Sequence, residues 1–245
     1  MNRRTLLAGF ATVVSLIAAT PTVTLSAEQS VVMAEGTNGF LTEEDIVTAR
    51  YDFDQRGSDV RRLQNILKIK TDGIYGPVTW ARHRAYLIEH GYSTKIVPVV
   101  PDEFTDVWYP VKYKKETVRL PLDKEKRCIQ FEDEFRNYGL PVDIFSYVSW
   151  RESRCQIKAV GWNYKAGMTH LDCAHRSFEN YLRTCSAVSS FDSGLLQVNS
   201  SWYSLTKKIC GGTPQEGALF SLDCNLKVSK RILDTSSRPM SNWGF

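Results

Sequence analysis

The placement of the cysteines constrains the fold of this 245-residue chain more than any other feature. All six lie between Cys128 and Cys224, and none occurs in the first half of the sequence. In an exported protein, an even number of cysteines confined to one segment indicates disulfide bonds. The candidates are Cys128, Cys155, Cys173, Cys185, Cys210 and Cys224. Their spacing does not choose among the possible pairings, so the sequence predicts a disulfide-braced second half with open connectivity.

The first residues, MNRRTLLAGF, predict export. Two arginines precede an apolar stretch that ends near Ala19 and is too short to span a bilayer comfortably. Residues 2–7 also resemble a twin-arginine export signal. We expect a signal peptide over residues 1–27, and an uncleaved anchor is the alternative. The mature protein is then expected in the periplasm, in the cell wall or outside the cell, with no membrane span.

A zinc site is the alternative use of some of these cysteines. His170, Cys173, His175 and Cys185 lie close together in the sequence. Their spacing matches no established zinc motif, and export favours disulfides over zinc. We therefore predict no metal site, and the sequence implies no cofactor.

The charge balance limits the class of partner. The formal net charge is +4, and the charged share of 24% is ordinary for a soluble globular protein. A mild positive charge favours encounter with an anionic polymer such as a cell wall, but it lies far below the basic density typical of nucleic-acid-binding proteins. We expect no nucleic-acid partner and a monomeric protein.

Residues 44–92 predict a small helical unit. Val60, Leu63 and Leu67 follow a glycine turn at the spacing of an amphipathic helix. The segment TDGIYGP at residues 71–77 predicts a chain reversal, after which a second helix runs from Trp80 to about His90.

This unit resembles the small peptidoglycan-binding module that many wall hydrolases carry. The matching residues are Gly57, Val60, Leu63, Gln64, Leu67, the DGIYG of residues 72–76, Thr79 and Tyr86. Leu87 departs from the family, which usually has glutamine there. The resemblance implies binding to the wall, and a three-helix spacer that has lost its ligand is the alternative.

Residues 93–125 predict a linker between this unit and the rest of the chain. The segment contains Pro98, Pro101, Pro110 and Pro121, mixed charges and no sustained hydrophobic period. That composition is typical of an extended linker of modest stiffness.

Glu152 is the carboxylate most suited to chemistry. Leu140-Pro141 predicts the start of a helix, because proline is tolerated in a first helical turn. On that helix Glu152 shares a face with three apolar residues, Ile144, Phe145 and Val148. The glutamate is therefore expected at the end of a buried stripe and not in open water.

A second segment, DSGLLQVNS at residues 192–200, predicts a strand that starts at a glycine. Gly194 would let the backbone approach Glu152 or a sugar ring closely. Gln197 and Asn199 alternate to one face, where their amides could bind N-acetyl and hydroxyl groups. The substrate-binding candidates are Ser153, Ser193, Gly194, Gln197 and Asn199. For Gln197, an amide that satisfies backbone groups is the alternative.

The segments FSYVSWRES at residues 145–153 and DSGLLQVNS at residues 192–200 together resemble the lysozyme-like glycosidases, in particular the soluble lytic transglycosylases. The resemblance covers roughly residues 128–245. It implies an α+β, mainly α, lysozyme-like domain over residues 126–245, with peptidoglycan as substrate. In the later segment LFSLDCNLKV, Cys224 departs from the family pattern, and the family's Ala-Tyr-Asn stretch is absent.

The predicted position of Glu152 favours its protonated form. Partial burial and a helix C-terminus both disfavour another negative charge. Arg151 and Arg154 are not expected on the face of the glutamate, so the carboxyl is expected to stay protonated near neutral pH. A general acid for a glycosidic oxygen needs this property, and the catalytic glutamate of lysozyme has it for similar physical reasons. The alternative is a helix-end glutamate paired to an arginine.

Asp192 decides between two reactions at the bond between N-acetylmuramic acid and N-acetylglucosamine. A lytic transglycosylase uses one glutamate as acid and then as base, and it leaves a 1,6-anhydro end. A retaining hydrolase adds a second carboxylate as nucleophile or charge stabiliser, and Asp192 stands where lysozymes of the animal type have one. The export signal, the wall module and the DCNL stretch at residues 223–226 favour the transglycosylase, which we predict, and the hydrolase with Asp192 is the alternative. A turn residue is the alternative for Asp192.

Two further functions stay open. A wall-binding or structural protein on the same fold would need no catalysis by Glu152. An enzyme for another N-acetylated polysaccharide, such as chitin, would cleave chitin oligomers.

Overall fold

The computed structural model describes residues 41–173 and 177–245. The predicted signal peptide and His175 of the alternative zinc set lie outside the described residues. The described chain is a mainly helical α+β fold, as predicted. Its α-helices are α1 (Glu43–Thr48), α2 (Ser58–Ile66), α3 (Pro77–Glu89), α4 (Glu132–Asn137), α5 (Val142–Ser153), α6 (Phe178–Thr184), α7 (Tyr203–Cys210) and α8 (Leu222–Thr235). Its strands are β1 (Trp108–Tyr113), β2 (Glu116–Pro121), β3 (Val160–Tyr164), β4 (Val188–Ser193) and β5 (Val198–Asn199).

The first three helices enclose a small core, and the turn before α3 is held by Gln64. This side chain is buried, and its Nε2 donates to Asp72 Oδ1 at 2.8 Å and to Thr79 Oγ1 at 3.0 Å. Its Oε1 accepts from the backbone N–H of Gly73 at 2.7 Å. α3 begins at Pro77, earlier than predicted, because proline fits the first helical turn. Several residues that carry the resemblance to a wall-binding module therefore have structural partners in the turn itself.

His83 ties α3 to α1 and to this turn. Its ring is fully buried, with Nε2 2.7 Å from the carbonyl oxygen of Val47 and Nδ1 2.7 Å from the hydroxyl of Tyr75. A carbonyl only accepts, so Nε2 carries the proton and Nδ1 accepts from Tyr75. Burial lowers the pKa of His83, although the bond to the Val47 carbonyl opposes that shift. The neutral imidazole is the form that the fold stabilises.

This depressed pKa predicts a loss of stability in mild acid. Above the unfolded-state pKa of about 6.5, histidine is neutral in both states. Below it the unfolded chain binds a proton that folded His83 resists, so the free energy of unfolding falls as pH decreases towards the folded pKa. Urea unfolding at several pH values should show this decline in the wild type and in the exposed control His90→Gln. It should be weaker in His83→Gln, and an unchanged decline there would contradict the assignment.

Residues 93–125 do not form the extended linker that was predicted. β1 and β2 pair as an antiparallel hairpin, with Val111 opposite Val118. Val118 and Leu120 are buried in the core of the second half, while Leu122 is buried in the core of the first three helices. The period-two alternation in both strands specifies the hairpin, and the two prolines that it contains, Pro110 and Pro121, concealed that pattern. The hairpin and the residue that follows it therefore pack on both cores.

A buried charge cluster joins α3 to α4 and α5. The Arg84 guanidinium donates to Glu132 Oε1 at 2.5 Å and to Asp143 Oδ1 at 2.6 Å, and its side chain is fully buried. Arg127 Nε lies 3.6 Å from Asp143 Oδ1, and the Tyr109 hydroxyl donates to Asp143 Oδ2 at 2.5 Å. Burial alone would raise the pKa of Asp143, but the two arginines and Tyr109 hold it below its usual value. Two cations and two anions thus neutralise each other at this junction.

The six cysteines form three pairs. Cys128–Cys155 joins the segment before α4 to the end of α5. Cys210–Cys224 joins the end of α7 to the first turn of α8. Cys173–Cys185 closes the stretch between β3 and β4. The disulfide prediction is confirmed, and these three pairings settle the connectivity that the sequence left open.

The second half is built around α5, whose residues Ile144, Phe145 and Val148 are buried as predicted. Beside α5 lies a three-stranded antiparallel sheet in the order β3-β4-β5. The strand predicted to start at Gly194 is shorter than expected, because residues 194–197 form a turn and only Val198–Asn199 pair with β4. In the described parts of the chain, no helix is long and apolar enough to cross a membrane.

Candidate active site

A cleft of about 490 Å³ lies between the end of α5, the sheet and the last residues of the chain. Glu152 stands on α5 and Asp192 on β4, and both line it. The other lining residues are Arg151, Gly161, Gln197, Asn242, Trp243 and Gly244. The structure therefore brings together the two carboxylates and one of the amides that the sequence singled out.

Glu152 occupies the last turn of α5, and its side chain is 29% exposed. Arg151 donates to Glu152 Oε1 from Nε at 2.9 Å and from Nη2 at 2.6 Å. Within the described chain, Oε2 receives no hydrogen bond. The expectation that no arginine faces the glutamate is wrong, because the side chain of Arg151 folds along the helix end. Glu152 is thus a helix-end glutamate paired to an arginine, the alternative that the sequence left open, and the charge-assisted hydrogen bonds hold its Oε1 in place.

Asp192 is the central residue of the sheet. It lies opposite Gly161 on β3 and opposite Asn199 on β5. Asn163 Nδ2 donates to Asp192 Oδ2 at 2.8 Å, and Asn199 Nδ2 donates to Oδ1 at 2.8 Å. Each carboxylate oxygen thus has its own amide donor, which fixes the orientation of the group.

Gln197 forms part of the floor of the cleft, and its backbone has a positive φ of 48°. Its Nε2 donates to the carbonyl oxygens of Ala159 at 3.0 Å and Gly194 at 2.8 Å. A Cβ atom on Gly161 would lie 3.1 Å from Gln197 Oε1, so the glycine makes room for the amide. The Gln197 nitrogen satisfies backbone groups, while its oxygen stays beside the cleft.

Residues 242–244 form the remaining wall. Trp243 is buried against Phe145, with ring centroids 4.9 Å apart, and its Nε1 donates to the Leu196 carbonyl at 3.0 Å. The carbonyl of Trp243 in turn accepts from Arg151 Nη2. The end of the chain is therefore held against both the core and the arginine that contacts Glu152.

Four predicted substrate-binding residues do not line this cleft: Ser153, Ser193, Gly194 and Asn199. Ser153 is buried, and its hydroxyl donates back to the Ser149 carbonyl in α5. Gly194 has a positive φ of 83° and packs closely against α8 and the segment before it. A Cβ there would lie 2.3 Å from the Leu219 carbonyl and 2.2 Å from Asn225 Nδ2, so the glycine allows close packing against α8. Asn199 contributes to the site through the hydrogen bond that it donates to Asp192.

Sequence reasoning missed Arg151, Gly161, Asn163 and the wall formed by residues 242–244. For Asn163 a signal existed, because residues 160–164 carry the apolar and aromatic residues of a strand. The contact of Arg151 had no signal, since neighbouring helix positions do not normally face each other. This contact depends on residues far away in the sequence, since Arg151 also donates to the Trp243 carbonyl.

Comparison with protein-family models, curated proteins and solved structures finds no match for this chain. We therefore infer the function from the residues and the geometry of the cleft.

Proposed function

We propose that this protein is an exported glycosidase that cleaves the β-1,4 bond between N-acetylmuramic acid and N-acetylglucosamine in peptidoglycan. The observation that carries the proposal is the pair of carboxylates, Glu152 and Asp192, on two sides of one open cleft. Their surroundings differ. Glu152 presents a free oxygen at a helix end, whereas Asp192 is held on both oxygens by amides. Retaining glycosidases use two carboxyl groups in this way.

We propose retaining hydrolysis as the route, because Asp192 supplies the second carboxylate that this reaction requires. Glu152 donates its proton from Oε2 to the glycosidic oxygen, and the leaving sugar departs with that proton. Asp192 stabilises the positive charge at the anomeric carbon or forms the glycosyl ester. Glu152, now a carboxylate, takes a proton from water, whose oxygen bonds to the anomeric carbon while Asp192 is released. Water is consumed, and the new end is reducing.

Lytic transglycosylation is the second candidate, favoured by the twin-arginine-like signal and by the resemblance of residues 44–92 to a wall-binding module. In that route Glu152 first donates its proton to the glycosidic oxygen, which leaves with it. Glu152 then takes the proton from the sugar's own 6-hydroxyl, whose oxygen bonds to the anomeric carbon, and Asp192 is only structural. Residues 44–92 would bring the wall to the cleft as part of the same compact unit, Leu41–Phe245. We propose peptidoglycan as the partner and a monomer as the working form.

Asp192→Asn separates these two candidates. In the hydrolytic route the substitution removes a charge that stabilises the transition state, so sugar release should fall by roughly 100-fold. Asp234→Asn removes the same charge from α8, outside the cleft, and should leave the rate unchanged. The measurement is the initial rate of soluble sugar release from purified peptidoglycan. Release at the wild-type rate by Asp192→Asn would favour transglycosylation, and activity on chitin oligomers alone would overturn the substrate assignment.

A further inference from the structure

Arg151 links the chain end to Glu152. Its guanidinium donates to Glu152 Oε1 and to the Trp243 carbonyl, and its carbon Cζ lies 4.4 Å from the centroid of the Phe245 ring. The centroid of the Tyr147 ring lies 5.8 Å from the same carbon. The direction of the guanidinium is therefore fixed by cation–π contacts, by its hydrogen bond to the Trp243 carbonyl and by its hydrogen bonds to the Glu152 carboxylate.

Helix geometry alone does not bring these two side chains together. Residues at i and i+1 point in different directions on a helix. Arg151 reaches its neighbour because residues 243–245 pass beside the end of α5 and hold the guanidinium there. Phe245 does not line the cleft, so it contacts the arginine from outside the site.

We propose that Arg151 is a positioning residue and that residues 243–245 hold it in place, as a latch on Glu152. This inference rests on the proposed glycosidase function. The latch fixes Oε1, leaves Oε2 to face the substrate, and stabilises the carboxylate that must accept a proton in the second half of the reaction. Arg151 takes no part in bond making and acts through Glu152.

Few charged groups surround Glu152, so the effect of its contact with Arg151 can be measured separately. Arg151 on α5 and Asp192 on β4 are the other charged groups among the described residues that line the cleft. Residues 239–245 and β3 carry no charged side chain. Arg154 is turned away, since it lies 4.1 Å from the Trp150 ring centroid and donates to the carbonyls of Trp150 and Arg151. Arg154→Met is therefore a matched control that removes the same charge from the same helix end.

The test is a titration of the Glu152 carboxyl by NMR, with carbon-13-labelled glutamate and the signal assigned by its loss in Glu152→Gln. Without the guanidinium the Glu152 carboxylate loses its partner. In Arg151→Met the Glu152 carboxyl should therefore stay protonated to higher pH than in the wild type. Phe245→Leu should shift the titration in the same direction by less, and Arg154→Met should move it least. The kcat of Arg151→Met should fall roughly 10-fold with a nearly unchanged KM, and the alkaline limb of kcat/KM should move to higher pH.

Two results would overturn the latch. One is an Arg151→Met titration that superimposes on that of the wild type. The other is an equal shift in Arg154→Met, which would reduce Arg151 to one charge among several. The NMR titration needs no activity. If the wild type releases no sugar, the proposed function fails, while the titration still decides whether the latch exists.

Discussion

Replacing Glu152 with glutamine is expected to lower sugar release from peptidoglycan by roughly 1,000-fold or more. Glutamine has nearly the same size, but its amide cannot transfer a proton to the glycosidic oxygen. The backbone at the end of α5 is set by the αL conformation of Arg154 and by the bond between Cys128 and Cys155, so the fold should not change. Release of soluble sugars and a pull-down with insoluble walls would measure activity and binding separately.

The control for this variant is Glu103→Gln, which makes the same chemical change at an exposed position away from the cleft. It should retain wild-type activity and binding. If Glu152→Gln were as active as Glu103→Gln, the carboxylate would have no catalytic part. If neither variant nor the wild type released sugar but all bound walls, the chain would be a wall-binding protein.

The largest effect on stability is expected for Arg84→Met. The substitution leaves Glu132 and Asp143 buried with Arg127 as the nearest remaining cation, and Arg127 Nε is 3.6 Å from Asp143. Removing one partner of a buried ion pair costs about 3–5 kcal/mol, because the remaining charge loses its compensation. The midpoint of urea unfolding, followed by tryptophan fluorescence, would report this loss.

Arg82→Met is the matched comparison for the buried arginine. Arg82 lies on the same helix and pairs with Glu89 at 3.1 Å, but the two side chains are 37% and 54% exposed. Such a surface pair contributes about 0–1 kcal/mol. Neutralising the two carboxylates as well, with Glu132→Gln and Asp143→Asn, should restore part of the stability lost in Arg84→Met. Equal losses in Arg82→Met and Arg84→Met, or no recovery, would contradict the account of the cluster.

Local patterns predicted α2 and α5, and α5 carries Glu152 of the cleft. The spacing of Val60, Leu63 and Leu67 and the Leu140-Pro141 start each specify a helix through neighbours in the sequence. The position of Glu152 at the end of α5 follows from the same local rule. Clustering of the cysteines indicated disulfides, but pairing depends on which loops meet in space, and the sequence carries no such information.

The features that the sequence did not predict depend on distant contacts. Arg151 faces Glu152 because residues 243–245 hold it, and those residues are separated from it by the whole sheet and by α7 and α8. Gly194 packs against Asn225 and Leu219, although its motif suggested an approach to the substrate. The orientation of Asp192 depends on Asn163 from a strand that its own motif does not include. Tertiary contacts determine the positions of these three residues, and the spacing of residues in the sequence does not reveal such contacts.

The measurement that tests the central claim most directly is mass spectrometry of the sugars released from purified peptidoglycan by the wild type and by Glu152→Gln. The account predicts fragments with reducing ends from the wild type, each heavier by one water than its 1,6-anhydro counterpart, and none from the variant. Fragments ending in 1,6-anhydro-muramic acid would contradict the hydrolytic role of Asp192. Equal release by both proteins would contradict the assignment of Glu152 as the catalytic acid.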